Sequence, residues 1–499
     1  MGAAHTIKLM IHPRSYRWLI LVLSISLCLA PLQAWSELGD DLPEIGAASG
    51  NLFTPLQEQQ LGKTFMRYIR ATQPVIDDPL LDDYINKLGN SLVEHSEGLG
   101  SKFTFFLVDS PVINAYAGPG GYIGVYTGLV LTTQSESELA AVLAHEITHV
   151  TQKHLQRAWY AASNMSLVQG AALVAAVILG ATVGGDAAMA AASGAQAAMQ
   201  QQQINFTRHN EKEADRLGIT ILHDAGFDPR AMPTFFTRMG RANKSYGVEL
   251  PEFLRTHPVT NSRIADSLGR AETYPYKQYA DSFSYLLVRA TLRERSFHDP
   301  RDAITYFRTA LREGRYRDES AARYGLALAL LRNDSFAAAA KELDTLMRNK
   351  PDTLEFIITA SRTDMEAGNK QRALKRLEQA VKKFPLNYPL QITLAEFHLR
   401  AGNAETAYRK LSVLASLRPD NTHVYKLLAN AAADLGRKAE SHQHMAMHYY
   451  LKGALEASAM QLKIALRIHG LSFYETARLE SQLQKVEKEI KELKKERKG

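Results

Sequence analysis

At 499 residues the chain is longer than one ordinary core can use, so two domains are expected. A 45% hydrophobic and 22% charged composition is that of a globular protein, and the formal charge of +7 is spread along the sequence, which argues against nucleic acid and against a strongly acidic partner. The single cysteine, Cys28, excludes an intramolecular disulfide.

Residues 1–36 read as a secretory signal peptide. Lys8, Arg14 and Arg17 precede the apolar run from Trp18 to Leu29, and small residues follow at Ala34 and Ser36. That run is short of the roughly 20 residues that span a bilayer, so cleavage and export are expected. Cys28 is preceded by Leu27, which argues against lipidation. Losing the leader removes three basic and no acidic residues, so the charge falls from +7 to +4 and no thiol remains.

Residues 37–275 mix strand and helix signals. Phe103–Val108 and Tyr122–Tyr126 are aromatic and β-branched, bounded by Asp109-Ser110-Pro111 and by Gly118-Pro119-Gly120-Gly121, and read as paired strands. Ser135 and Glu138, three apart before the run Leu139–Leu143, form the signature of a capping box that opens a helix. On that helix lies His145-Glu146-Ile147-Thr148-His149. Imidazoles four residues apart share a helix face and can reach one metal ion, and Glu146 can address water on its open side. In such sites zinc lowers the pKa of water toward about 7 and polarises the scissile carbonyl. The surrounding Leu143, Ala144, Ile147 and Val150 are apolar, and polar groups on a buried helix need partners.

Residues 167–199 are rich in Ala, Gly and Met. A single membrane crossing there would separate two motifs that must share one metal, so a packed helical pair is expected, with a re-entrant hairpin or a flap in peripheral contact with a membrane surface as the alternatives. Beyond it, Glu211 and Asp215 stand four apart in Arg208–Gly218. Glu211 can supply the third ligand and Asp215 can accept a hydrogen bond from a ligating histidine. Spacing alone equally describes an exposed, charge-paired helix in which Arg208 meets Glu211.

From residue 283 the pattern is helical. Pro351, Pro385 and Pro419, Gly368, Gly402 and Gly436, and Ala339, Ala373 and Ala407 all recur with a period of 34, each period reading as two helices. This array, 283–470, resembles the tetratricopeptide repeat, whose stacked pairs form a concave surface for partner proteins. Residues 471–499, with Leu479, Leu483, Val486 and Ile490 amid Lys and Glu, read as a charged capping helix.

The pair HEITH and EKEAD resembles the M48-type gluzincin metallopeptidases. That resemblance implies a mainly α protein, with an α+β zincin-type metalloprotease domain followed by an all-α repeat solenoid. It implies one zinc ion per chain, with His145, His149 and Glu211 as ligands, Glu146 as general base and Asp215 as a supporting acid. Thr256–Ile264 resembles the segment that closes the domain in this family, where His257 and Arg263 face the active site. His257 would either latch the open metal position or, as a cation, hold the oxyanion. His154 and His209 fall off the metal-facing positions and read as surface histidines. With its leader and repeats the chain resembles periplasmic members that assist outer-membrane protein assembly, which implies such proteins and their assembly machinery as partners. The rival expectation is a non-proteolytic repeat scaffold with a vestigial metal site.

Overall fold

The computed structural model describes residues 54–97, 102–156, 194–245 and 252–496. The expected signal peptide and nearly all of the 167–199 segment lie outside them.

Two capped helices open the described chain. In α1 (Pro55–Thr72) the Thr54 hydroxyl accepts from the Gln57 N–H, while Gln57 Oε1 accepts from the Thr54 N–H at 2.9 Å. In α2 (Pro79–Val93) the Asp78 carboxylate accepts from the N–H groups of Leu80 and Leu81. Both helices begin on proline, whose missing N–H costs nothing in a first turn.

A three-stranded sheet follows: β1 (Thr104–Val108), β2 (Ala115–Ala117) and β3 (Tyr122–Tyr126), in spatial order β1-β3-β2. The two expected strands pair in parallel, Thr104 opposite Tyr122, and β2 joins β3 antiparallel with Tyr116 opposite Gly124. At three residues β2 is too short to show an alternation in sequence, yet it forms the edge of the sheet.

Helix α3 (Thr127–Thr132) leads into α4 (Glu136–Thr151), which carries HEITH. Ser135 accepts from the Glu138 N–H as expected. The other half of the capping box is different: Glu138 accepts from the Gln134 N–H at 2.6 Å and from the Arg238 guanidinium. From Glu136 to Thr148 every residue of α4 is buried. Its Leu139, Leu143 and Ile147 share one core with Leu107, Ile123 and Val125 of the sheet. The same core takes Ile219 and Leu222 from α5 (Gly194–Asp224) and Phe235 and Phe236 from α6 (Ala231–Ser245). Two short helices, α7 (Glu252–Thr256) and α8 (Asn261–Glu272), complete this half.

The contact between α4 and α5 positions the chemistry, and Gly218 permits it. A Cβ at Gly218 would lie 3.3 Å from the His145 backbone nitrogen and 2.9 Å from Met232 Cε, so the two helix backbones meet beside the first histidine.

The second half is a run of helix pairs: α9 (Phe283–Arg295) with α10 (Pro300–Glu313), α11 (Glu319–Arg332) with α12 (Phe336–Asn349), and α13 (Leu354–Glu366) with α14 (Lys370–Lys383). These continue as α15 (Tyr388–Arg400) with α16 (Ala404–Leu417), α17 (Thr422–Asp434) with α18 (Lys438–Leu451), and α19 (Leu455–Leu466) with α20 (Phe473–Glu496). Within successive pairs, Gly368, Gly402 and Gly436 take φ values of +84°, +86° and +72°. Asp334 makes the same turn at φ +55° without glycine, which is why the period fades upstream. Ala339, Ala373 and Ala407 are fully buried where the helices press together. Leu479 and Val486 of α20 bury themselves against Leu455 and Leu462 of α19.

The array touches the α+β half at both ends. Tyr285, Val288 and Leu292 of α9 belong to the same core as α4. At the far end Arg67 of α1 pairs with Glu489 at 2.9 Å and lies over the Tyr450 ring, while Thr422 donates to Asp77 at 3.0 Å.

Gly218→Leu should push α5 off α4 and destabilise the chain by about 1–3 kcal/mol. A lowered thermal unfolding midpoint would report it; a wild-type midpoint would mean that the helices do not meet there.

Candidate metal centre

His145 and His149 project from one face of α4, and Glu211 comes from α5 across the contact at Gly218. The Nε2 atoms of the two histidines are 3.0 Å apart, and the Glu211 carboxylate lies 3.4 Å from each. His257, at the end of α7, brings Nδ1 to 3.3 Å from His145 Nε2 and 3.1 Å from both Glu211 oxygens. One donor atom from each of these four residues lies within 4.8 Å of the others.

The donor set fits a metal ion. His145 Nε2 lies within 3.3 Å of two other imidazole nitrogens, and one ring nitrogen has a single proton or a single lone pair to offer, so the three rings cannot satisfy one another by hydrogen bonds. A cation among them serves every lone pair at once, and two nitrogens with one carboxylate oxygen are the donors zinc prefers.

Glu146 is 1% exposed, and its Oε1 has no hydrogen-bond partner among the described residues, with His257 Nε2 at 3.4 Å. A buried carboxylate oxygen without a hydrogen bond costs free energy, which a water molecule donating to it would recover. Asp215 Oδ1 lies 2.9 Å from His145 Nδ1, on the side of the ring away from the cluster. Arg263 binds Asp215 through Nε and Nη2, both at 2.7 Å, and reaches Glu211 Oε2 through Nη1 at 2.8 Å.

Protonation among these groups follows from the same contacts. Burial opposes a charged His145, but hydrogen bonds to Asp215 and Glu211 outweigh it and raise its pKa to about 9. A proton on His145 therefore competes with a metal ion for that ring. Burial, reinforced by His145, His257 and His154, outweighs Glu211 and pushes His149 well below the usual histidine range, so it offers a free lone pair. For Glu211 burial is the largest influence and acts upward, but His257, His145 and His149 overcome it and hold the carboxyl ionised.

The structure thus places His145, Glu146, His149, Glu211, Asp215, His257 and Arg263 together. The charge-paired alternative for Glu211 does not describe it: Glu211 is 4% exposed, whereas Arg208 is at the surface. His209 is exposed as expected. His154 is not: it is 4% exposed, with Nδ1 2.8 Å from His149 Nδ1 and Nε2 3.0 Å from Glu213 Oε2. After α4 ends, Lys153 turns left-handed at φ +53° and folds His154 back onto the helix. Because that turn uses a lysine where glycine or asparagine is usual, no residue pattern announces it.

Residues 79–271 match the profile of Peptidase family M48, and residues 292–352 and 364–431 match two tetratricopeptide-repeat profiles. The beta-barrel assembly-enhancing protease of Escherichia coli K12 is 33% identical over 452 residues, covering 90% of this chain and 92% of that one. Its namesake in Yersinia pestis is 32% identical over 468 residues, covering 93% and 96%. A putative beta-barrel assembly-enhancing protease of Vibrio cholerae is 41% identical over 313 residues, 62% of this chain and 64% of that protein's length. The metal cluster and these likenesses agree, and the chain belongs to the M48 peptidases as a zinc metalloendopeptidase bearing tetratricopeptide repeats.

Proposed function

We propose that the chain works in the periplasm, where it degrades misassembled outer-membrane proteins and assists assembly of others through its repeats. The observation that carries the peptidase part is the convergence of His145 Nε2, His149 Nε2 and Glu211 beside the buried Glu146 carboxylate. The leader at 1–36 supports export, and the names of the relatives support the substrate class.

In this reading His145, His149 and Glu211 hold one zinc ion, which supplies a Lewis acid for the scissile carbonyl and for water. Glu146 takes a proton from the attacking water and delivers it to the amine nitrogen as the C–N bond breaks. Asp215 orients His145 through Nδ1, and Arg263 holds Asp215 and Glu211 in register.

Substrate would join the sheet as an added strand at β2. Gly118 N–H donates to Tyr122 O and Tyr126 N–H to Asn114 O, so Asn114, Tyr116 and Gly118 use their backbone groups toward β3. By alternation Ala115 and Ala117 turn theirs to the side of β2 away from β3.

For His257 the contacts favour the latch over the oxyanion role. Its Nδ1 sits among the ligand atoms, where it would fill the position that water or a carbonyl needs.

His149→Ala should remove stoichiometric zinc, measured by metal analysis of the purified chain; unchanged zinc would remove the basis of the mechanism. Glu146→Gln should keep the metal and lower peptide hydrolysis at least about 100-fold. His257→Ala should raise turnover with zinc retained, by about 10-fold if the latched form holds nine-tenths of the molecules. Lower turnover with zinc retained would overturn the latch and favour the oxyanion role.

A further inference from the structure

We propose that His154 and Glu213 form a positioning relay for the ring of His149, fixing which of its nitrogens faces the metal. The inference rests on His149 being a ligand and extends it to two residues that the HEITH and EKEAD motifs do not assign.

An imidazole that offers a lone pair at Nε2 carries its proton on Nδ1, and that N–H needs an acceptor. His149 directs Nε2 into the cluster, 3.0 Å from His145 Nε2, and its Nδ1 lies 2.8 Å from Nδ1 of His154. The Nδ1 of His154 must then accept, which places the His154 proton on Nε2. That N–H meets Glu213 Oε2 at 3.0 Å, and a carboxylate can only accept there. The Glu213 carboxylate therefore sets the direction of both hydrogen bonds.

The backbone is shaped to make the contact. Along an unbroken helix a residue five positions after His149 would point roughly 140° away from it. Instead α4 ends at Thr151, and Lys153 adopts φ +53°, a conformation that residues with a side chain avoid. The chain turns back, and the rings of His149 and His154 meet edge to face with centroids 4.7 Å apart. His154 is 4% exposed and Glu213 is partly exposed.

The two ligating histidines are thereby supported from one helix. Asp215 of α5 lies 2.9 Å from Nδ1 of His145 directly, and Glu213 of α5 reaches His149 through His154. Helix α5 supplies the metal with a ligand and both of its histidine ligands with their second partners. The rival account is a buried histidine paired with a glutamate for packing alone, which would leave metal affinity untouched.

Full-length His154→Phe, His154→Asn, Glu213→Gln and His149→Ala variants would be titrated with zinc against a chromophoric chelator, and the cobalt-substituted proteins compared by visible absorption. His154→Phe should bind zinc about 10- to 100-fold more weakly, with a shifted cobalt spectrum. His154→Asn keeps an acceptor near the lost Nδ1 and should recover most of that loss, and Glu213→Gln should fall between. Wild-type zinc affinity in His154→Phe, with zinc lost in His149→Ala, overturns the relay and leaves the ligand assignment standing. Zinc retained in His149→Ala overturns the assignment itself. If His154→Phe does not fold, wild-type affinity and cobalt spectrum in Glu213→Gln overturn the relay.

Discussion

Arg263 is the interaction on which the metal centre depends. Glu211 and Asp215 are each 4% exposed, one turn apart on α5, and two ionised carboxylates buried that close repel one another and lose their hydration. The guanidinium, itself 3% exposed, takes Asp215 with two of its nitrogens and Glu211 Oε2 with the third. Its Nη1 also donates to Pro258 O at 2.9 Å, and its plane lies 4.9 Å over Phe236. Breaking a buried pair of this kind costs about 3–5 kcal/mol, comparable to the whole margin of many domains. The clamp also orients the ligand: with Glu211 Oε2 drawn toward Arg263, Oε1 is the oxygen closer to His149.

The metal helix is fixed at its other end by the segment that leads into the repeats. At the start of α4, the Glu136 N–H donates to Asp281 Oδ1 at 2.7 Å, and the Glu136 carboxylate accepts from the Ser282 N–H, the Ser282 hydroxyl and the Tyr84 hydroxyl. Arg289 of α9 then caps the preceding helix by donating to the carbonyls of Val130, Leu131 and Thr133. Helix α9 is thus the first member of the repeat array and also part of the peptidase core. A cut at residue 283 would strip Tyr285, Val288 and Leu292 from that core and, by removing Arg289, leave the carbonyls that end α3 uncapped. The two halves can carry different tasks, but they do not have a clean seam between them.

What the sequence revealed is what periodicity and spacing encode. The pairing of His145 with His149 was legible because a helix repeats every 3.6 residues, and the array declared itself through a period of 34. The meeting of HEITH with EKEAD depended on Gly218, and a lone glycine in a helix does not say what it approaches. The edge strand β2 was hidden by its length, and His154 by a left-handed lysine. Glu138 shows the limit of a local signature: the Ser135 cap formed, but a tertiary partner, Arg238, took its carboxylate away from the box.

How a latch at His257 would open can be argued from what holds it. Helix α7 is tied to the chain entering the edge strand, because the Phe253 N–H donates to Ile113 O at 3.1 Å. Phe253 is fully buried, and its ring lies 5.1 Å from that of His257. Swinging α7 outward would expose that phenylalanine, at about 1.5–3 kcal/mol, and break a hydrogen bond worth about 1 kcal/mol. It would also disturb Pro258, whose carbonyl anchors Arg263. Rotating the His257 side chain alone forfeits its contacts with Glu211, Glu146, His145 and the Phe253 ring, and leaves α7, Ile113 and Arg263 in place. Side-chain rotation is therefore the cheaper opening. It also suits a substrate strand arriving at Ala115 and Ala117, since the backbone that leads into β2 stays where the added strand needs it.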